Sequence, residues 1–180
     1  LHTLVATSKQ ALWETRNYMF SLKPLMHGTT TLTTMLSTQI REFGTISDLP
    51  TRLVIHGSED LYGKQYRHSR RYAQIGTAIF RIVQEALTNA YKHAKATQLE
   101  VNLFYTVEHI EVTICDNGTG IVSQQQIQAN TTQSLDEDSQ HIYSGRGMSG
   151  MRERARELDG SFDVTVSPTG GTVVHVRIPH

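Results

Sequence analysis

The first 23 residues carry apolar or small side chains at alternating intervals of four and three. This heptad rhythm predicts an amphipathic helix that packs along a seam in a helical bundle or coiled coil. Pro24 ends the predicted helix, because proline has no amide donor and disfavours helical backbone at the preceding residue. The seam positions are Leu1, Val5, Ser8, Leu12, Thr15, Met19 and Leu22.

A second amphipathic segment follows. The hydroxyls of residues 29–31 are suited to cap a helix that runs to about Phe43, and Gly44 is suited to end it. Beyond this helix, residues 53–55 predict a short strand and residues 57–63 a polar loop. The apolar face of the helix comprises Leu32, Leu36, Ile40 and Phe43.

The remainder of the chain alternates between helical and strand periodicity. Apolar positions recur at helical spacing over 70–95 and 147–158, whereas residues 122–144 have no core pattern and predict a mobile loop. This order predicts an α+β fold, a two-layer sandwich with helices on one face of a mixed β-sheet. Period-two alternation predicts four strands, at 99–105, 110–114, 162–166 and 173–178.

Composition excludes several classes of protein. The 180 residues include 17 basic and 17 acidic side chains, and this zero net charge argues against attachment to nucleic acid by bulk charge. The single cysteine, Cys115, rules out a disulfide framework and fits a reducing compartment. No apolar run approaches the roughly 18 residues of a membrane span. The length allows one domain and a fraction, and the opening on a helix without Met suggests a piece of a longer protein.

A row of polar residues interrupts the apolar pattern of the predicted 70–95 helix. Glu85, Asn89 and His93 are spaced by four and are expected on one face, with Lys92 beside them. The Asn89 amide is suited to ligate Mg²⁺, and Lys92 and His93 are suited to contact phosphate oxygens. A solvated helix face is the plainer interpretation, and for this row alone it is the favoured one.

Asp116-x-Gly118-x-Gly120 comes directly after a predicted strand. Glycines at these positions let the backbone approach a ligand closely, and Asp116 is suited to accept a hydrogen bond from an exocyclic amine. An ordinary Asp-Asn-Gly hairpin turn is the alternative, and the motif alone does not decide between them.

A second glycine motif opens the predicted 147–158 helix. Gly145, Gly147 and Gly150 leave several amides exposed at the positive end of the helix dipole, which suits a phosphate chain. The motif is not a P-loop, because no Gly-Lys-Ser/Thr follows it. A flexible hinge before a helix is the alternative interpretation.

Together and in this order, the three segments resemble the N, G1 and G2 boxes of the histidine-kinase-type ATP-binding fold, also called the Bergerat or GHKL fold. Residues 82–94 and the run Gly147-Met148-x-Gly150-Met151 are similar to sensor kinases that signal to NarL-type response regulators, the HisKA_3/HATPase_c branch. The ending Gly171-Thr172-x-Val174 through Pro179 also resembles that branch. The resemblance is strong over 75–180 and looser over 1–58.

The resemblance implies a division into two regions. Residues 1–45 would be the second helix of a dimerisation hairpin and its linker, and residues 46–180 the catalytic ATP-binding domain. In the family, the phosphorylated His lies on the first helix of that hairpin and is followed by an acidic residue. None of the nine histidines here is followed by Asp or Glu, so the acceptor helix is expected to lie outside this chain.

The resemblance also implies roles for the polar residues. Asp116 would recognise the adenine amino group with support from Thr172, and Asn89 would ligate the Mg²⁺ that bridges the phosphates. Lys92 and His93 would line the phosphate path. Glu85 matches the position that activates water in ATPase relatives, and is a candidate base or polariser in this chain.

The glycines would form the walls of the same site. Gly118 and Gly120 would pass beneath the nucleotide, and residues 121–145 would form the ATP lid. Met148 stands where Leu is commoner in the family, a tolerable apolar exchange. The glycines expected to close over the nucleotide are Gly145, Gly147 and Gly150, and Met148 is expected to bind it as well.

The implied function is phosphoryl transfer from Mg-ATP to a His on a dimerisation helix, and from there to an Asp of a NarL-type response regulator. The implied partners are ATP or ADP, a second copy of the chain through the helical bundle, and the regulator. Nucleic acid is not expected, and a membrane only through regions outside this chain, with a cytoplasmic location. The rivals are a GHKL-fold ATPase, an anti-sigma-type kinase and a non-catalytic nucleotide-sensing dimerisation module. The seam helix and His93 argue against the first two, and the intact boxes argue against the third.

Overall fold

The computed structural model describes residues 30–120, 146–167 and 170–180. The predicted helix at 1–23 and the predicted loop at 122–144 lie outside these residues. A 3₁₀ turn spans Glu59–Tyr62 and a π turn spans Ala90–Ala94. The other elements are α1 (Leu32–Ser47), β1 (Thr51–His56), α2 (Gly63–Arg67), α3 (Arg70–Asn89), β2 (Leu99–Tyr105), β3 (His109–Asp116), α4 (Arg146–Arg156), β4 (Ser161–Val166) and β5 (Thr172–Pro179).

The five strands form one mixed sheet in the order β1-β2-β3-β5-β4. β1 and β2 are parallel, and the other three pairs are antiparallel. Burial alternates along β2 and β3, so one face of the sheet packs against the helices and the other carries polar side chains. The predicted α+β sandwich with a mixed sheet is confirmed. The buried face of the three central strands comprises Leu99, Val101, Leu103, Tyr105, Ile110, Val112, Ile114, Val174, Val176 and Ile178.

α1 begins as predicted and ends later than predicted. Thr31 is the N-cap, and its hydroxyl accepts a hydrogen bond from Thr34 N at 3.2 Å. The prediction that Gly44 ends the helix is wrong, because the helix continues to Ser47 and Asp48 adopts the left-handed conformation. Glycine inside a helix costs about 1 kcal/mol. Here the extra turn brings Ile46 and Leu49 onto the core, which offsets that cost.

The apolar face of α1 belongs to the same core as the sheet. Leu32, Leu36, Ile40 and Phe43 are buried together with residues of α3 and the central strands. Residues 32–45 therefore pack as part of the sheet-and-helix unit, although the sequence assigns them to the dimerisation region.

The predicted 70–95 helix is confirmed as far as Asn89. Its last residues, Ala90–Ala94, form a π turn instead, and Lys95 ends it in the left-handed conformation with φ of 51°. With 20 residues, α3 is the longest helix in the described ranges, and no helix there is long and apolar enough to cross a membrane. Single π turns inside helices are common at functional sites.

The segment predicted as a polar loop at 57–63 contains a 3₁₀ turn whose first residue, Glu59, is buried. Glu59 Oε1 accepts hydrogen bonds from Thr33 N at 2.8 Å, Thr33 Oγ1 at 3.0 Å and Tyr105 Oη at 2.5 Å. Burial and the neighbouring Glu59 carboxylate together raise the pKa of Tyr105. Glu59 thus joins the first turn of α1 to the end of β2.

Candidate functional site

The predicted site residues gather where four elements meet. α3 and its π turn carry the polar row, the loop after β3 carries the first glycine motif, and the starts of β5 and α4 complete the site. The ends of α3 and β3 lie at the same edge of the sandwich as the starts of β5 and α4. This follows because β3 and β5 are antiparallel neighbours and α4 packs on α3. Segments separated by tens of residues therefore meet at one place, which we call the candidate cleft.

The polar row of α3 stays together, but not as a regular α-helical row. Glu85 and Asn89 lie on α3, whereas Lys92 and His93 lie in the π turn. The wider turn replaces the four-residue α-helical repeat that the sequence predicts between Asn89 and His93. Burial lowers the pKa of His93, the Lys92 ammonium lowers it further and the Glu85 carboxylate opposes both, so these three side chains still lie close enough to interact.

Asp116 is the last residue of β3 and lies opposite Leu99 of β2. By strand alternation, it shares the helix-facing side of the sheet with the buried Ile114. The Asp116 Oδ1 atom accepts a hydrogen bond from Gly118 N at 2.8 Å. This contact orients the half-buried carboxylate.

The loop after β3 packs directly on the end of the π turn. A Cβ atom at Gly118 would overlap the carbonyl group of Ala94, so only glycine fits there without displacing backbone. The next residue, Thr119, donates its backbone N–H to Ala94 O at 2.8 Å. The π turn that follows α3 and the loop of Asp116 are therefore joined at their backbones.

Gly171 packs beneath the same loop. Its φ is +85°, and a Cβ atom there would overlap the carbonyl oxygen of Asp116. Thr172 follows and begins β5, one residue before the Val173–Cys115 pair, so it lies beside Asp116 at the end of the strands. Gly120, with φ of +71°, is next to Gly171. The structure thus brings Asp116, Gly118, Gly120 and Thr172 together.

The start of α4 approaches the polar row of α3 through Gly147. A Cβ atom at Gly147 would overlap the Glu85 carboxylate and lie 3.5 Å from Asn89 Nδ2. A larger residue would displace the end of the Glu85 side chain, so this glycine allows the close contact. The Met148 side chain is 36% exposed, and Gly150 faces Arg154 of its own helix. Gly145 and the predicted lid at 121–145 lie outside the described residues.

The residue types present fit a magnesium nucleotide. The described residues hold no group of three or more His, Cys, Asp or Glu side chains that could bind a metal ion. Magnesium in nucleotide sites typically takes only one or two protein ligands and keeps phosphate oxygens and waters. The Asn89 amide, one oxygen beside a cleft walled by glycines, matches that requirement.

Sequence reasoning did not single out two groups that build the site. In the sequence, Asn117 is a turn residue with no predicted role, and Ala94 is near the end of the predicted 70–95 helix. A signal for the packing was available in Gly170-Gly171 before Thr172, since paired glycines beside a strand indicate close backbone approach.

His93 is expected to make the stability of the protein depend on pH. Burial, then the Lys92 ammonium, lowers the pKa of His93 from 6.5, and Glu85 opposes this in part. The unfolded chain therefore binds the proton more readily, so the stabilising contribution is present above about pH 6.5 and lost as pH falls below it. Urea unfolding between pH 5 and 8 should show wild type losing stability towards low pH relative to His93→Gln. Parallel curves for the two proteins would contradict this.

Comparison with known proteins agrees with the geometry. The family described as "Histidine kinase-, DNA gyrase B-, and HSP90-like ATPase" matches residues 75–180, more than half of the chain. The chain belongs to this family. Its predicted ATP-binding domain of the histidine kinase type is thereby confirmed. The family assignment rests on the segment that carries all three boxes.

Individual relatives are sensor proteins and kinase domains. The sensor protein VraS of Staphylococcus saprophyticus is 33% identical over 101 residues, which are 56% of this chain and 25% of that protein. VraS of Staphylococcus haemolyticus gives the same values. The chain thus spans about a quarter of the length of these relatives.

Solved structures share the fold at lower identity. The ATP-binding domain of PrrB from Mycobacterium tuberculosis superposes with a TM-score of 0.56 at 20% identity, covering 83% of this chain and 94% of that one. The histidine kinase domain of the blue-light-activated EL346 from Erythrobacter litoralis gives 0.56 at 19%, covering 97% and 74%. These likenesses establish the α+β sandwich of histidine-kinase ATP-binding domains.

Proposed function

We propose that this chain is the catalytic ATP-binding part of a two-component sensor histidine kinase. It would bind Mg-ATP and transfer the γ-phosphate to a His on a dimerisation helix outside the chain. A response regulator of the NarL type would then take the phosphate onto an Asp. The observation that carries this proposal is the convergence of Asp116, Thr172 and Asn89 on one glycine-walled cleft.

The adenine end of the cleft is assigned to Asp116 and Thr172. Asp116 uses Oδ1 for Gly118 N, and the carboxylate accepts the exocyclic amine of adenine through its remaining capacity. Thr172, half-buried beside it, supports the base through its hydroxyl or a water molecule. A half-buried carboxylate discriminates strongly, because a base without the amine would leave it unpaired.

The phosphate end is assigned to the polar row of α3 and the π turn. Asn89 holds Mg²⁺, which neutralises charge on the phosphates when it is bound. Lys92 is exposed and His93 is half-buried, so both lie within reach of solvent-facing phosphate oxygens. Gly147 brings the positive end of the α4 dipole against this row.

Glu85 is proposed as a polarising group or base rather than as a metal ligand. Its carboxylate lies against Gly147, at the junction of α3 and α4. In phosphoryl transfer, positioning and neutralisation of charge supply most of the rate. Because the acceptor His would come from another helix, the main task of this chain is to hold the γ-phosphate in line for it.

The surrounding assembly follows from the same proposal. Residues 1–22 would form half of a dimerisation hairpin, so the active protein would be a homodimer. We place the boundary between the hairpin region and the ATP-binding domain before Leu32 on the packing of α1, rather than at 45/46. The domain would act in the cytoplasm, and membrane attachment, where present, would come from other regions of the full protein.

Nucleotide binding tests the proposal directly. The midpoint temperature of thermal unfolding should be several degrees higher with millimolar Mg-ADP than without nucleotide, because a ligand that binds only the folded state stabilises it. No shift at millimolar nucleotide would overturn the central claim.

Acid-labile phosphorylation should appear only when a separate chain supplies the acceptor His. Steady hydrolysis of ATP without an acceptor would favour the ATPase alternative.

A further inference from the structure

Asn117 uses its whole side chain to join two segments of the site. Its Oδ1 atom accepts hydrogen bonds from Thr97 N at 2.9 Å and Gln98 N at 3.0 Å, and its Nδ2 atom donates to Thr97 Oγ1 at 2.9 Å. Both backbone amides belong to the short segment between the π turn and β2. An asparagine that only turned the chain would leave these groups to water.

The residues on either side of Asn117 make further contacts that hold the same loop. Asp116 precedes it and accepts from Gly118 N, and Gly118 packs on the Ala94 carbonyl. Thr119 N donates to the same carbonyl. Residues 116–119 are therefore held at Asn117 from one side and at the Ala94 carbonyl from the other. A backbone held at both points leaves the Asp116 side chain little freedom to rotate out of the cleft.

We propose that Asn117 is a positioning residue that sets the orientation of the Asp116 carboxylate and so determines specificity for adenine. It does so without touching the nucleotide, by joining the loop to the backbone that follows the phosphate-side helix. This inference rests on the proposed function, because it takes Asp116 as the group that recognises the base. It adds a residue whose effect on binding depends on the base and not on the phosphates.

Comparing ADP with inosine diphosphate separates positioning from stability. Inosine diphosphate carries the same phosphates and ribose, but an acceptor oxygen replaces the exocyclic amine and the nearest base donor moves to N1–H, so no donor lies at the place where Asp116 accepts from adenine. If the carboxylate is no longer held in place, the affinity for ADP falls and the affinity for inosine diphosphate stays unchanged. A general loss of structure weakens both nucleotides alike.

The experiment measures the dissociation constants of both diphosphates, with Mg²⁺, by calorimetry on the full chain and its variants. Wild type should prefer ADP by about 100-fold. Asn117→Ala should weaken ADP about tenfold, a typical effect of losing hydrogen bonds that orient a charged group, and change inosine diphosphate less than twofold. Asn117→Ser, a milder truncation that also cannot span to Gln98 N, should show the same selective loss.

Three further variants serve as references. Thr97→Val keeps both bonds to Oδ1 and should retain the wild-type preference. Asn117→Asp keeps the Oδ1 acceptor and should restore most of the preference, with the Thr97 hydroxyl reversing to donate. Asp116→Asn should lose the preference altogether, and adding Asn117→Ala to it should cause little further loss, because both changes act through one carboxylate.

The outcomes distinguish the inference from the proposed function. Equal weakening of both nucleotides in Asn117→Ala and Asn117→Ser, or no weakening of either, would overturn the positioning role while Asp116→Asn still loses the preference. A wild-type protein that binds neither nucleotide, or binds both equally, would overturn the proposed function and this inference together. A selective loss of ADP in the Asn117 variants supports the inference.

Discussion

Replacing Asp116 by Asn is expected to weaken ADP binding by about 100-fold, an effect of roughly 2.7 kcal/mol. An Asn side chain can keep Oδ1 on Gly118 N, where Asp116 now accepts at 2.8 Å. That orientation turns its Nδ2 donor towards the adenine amine, which is also a donor. Two donors face each other in a half-buried cleft, so the base loses its partner. Calorimetry with Mg-ADP measures the change.

Asp163→Asn is the matched control for this substitution. Asp163 is exposed on β4, on the face of the sheet away from the helices and the cleft. Asp163→Asn removes one negative charge, as Asp116→Asn does, and should leave the affinity for ADP within twofold of wild type. Asp116→Asn with wild-type affinity, or an equal loss in both variants, would exclude Asp116 as the group that recognises the base.

Replacing Glu59 by Ala is expected to lower the free energy of unfolding by about 3 kcal/mol. The buried carboxylate accepts hydrogen bonds from Thr33 N, Thr33 Oγ1 and Tyr105 Oη. Its removal leaves these donors without their acceptor and opens a cavity between α1 and β2. Urea unfolding, followed by circular dichroism, measures the loss as a shift of the midpoint at constant slope.

Neighbouring variants make this prediction specific. Asp60 is 81% exposed and pairs with Arg67 at 3.1 Å, so Asp60→Ala should cost no more than about 1 kcal/mol. Tyr105→Phe should cost about 1 kcal/mol in wild type and less when Glu59 is already Ala, because both changes remove one hydrogen bond. A Glu59→Ala protein as stable as Asp60→Ala would show that the buried carboxylate contributes little.

Local periodicity predicted the elements well where neighbouring residues decide the structure. The alternation at 99–105 matches β2, in which Leu99, Val101, Leu103 and Tyr105 are buried. The helical spacing from residue 70 matches α3 to its last residue. Both patterns depend on side chains within a few positions of one another, so the sequence carries them directly.

Predictions failed or were silent where distant contacts decide the local structure. α1 passes through Gly44 because the next turn packs on the core, and no pattern near Gly44 indicates that. The helix containing Asn89 widens into a π turn at Ala90, where its end meets the loop after β3. Glu59 looked like a loop residue and is buried by Tyr105, 46 positions away.

By itself, the sequence determined which chemical groups the site contains and the order of the elements that carry them. The motifs identify Asp116, Asn89 and the glycines as candidate groups, because their residue types and spacing suit what a nucleotide requires of the backbone and of charge. Only the tertiary structure decided how these groups are held. The deciding contacts join segments that meet only when the chain folds. They are Gly147 against Glu85, Gly118 against the Ala94 carbonyl, and Asn117 on the amides of residues 97–98. Such contacts leave no periodic pattern in the sequence, since they form only when distant segments pack together.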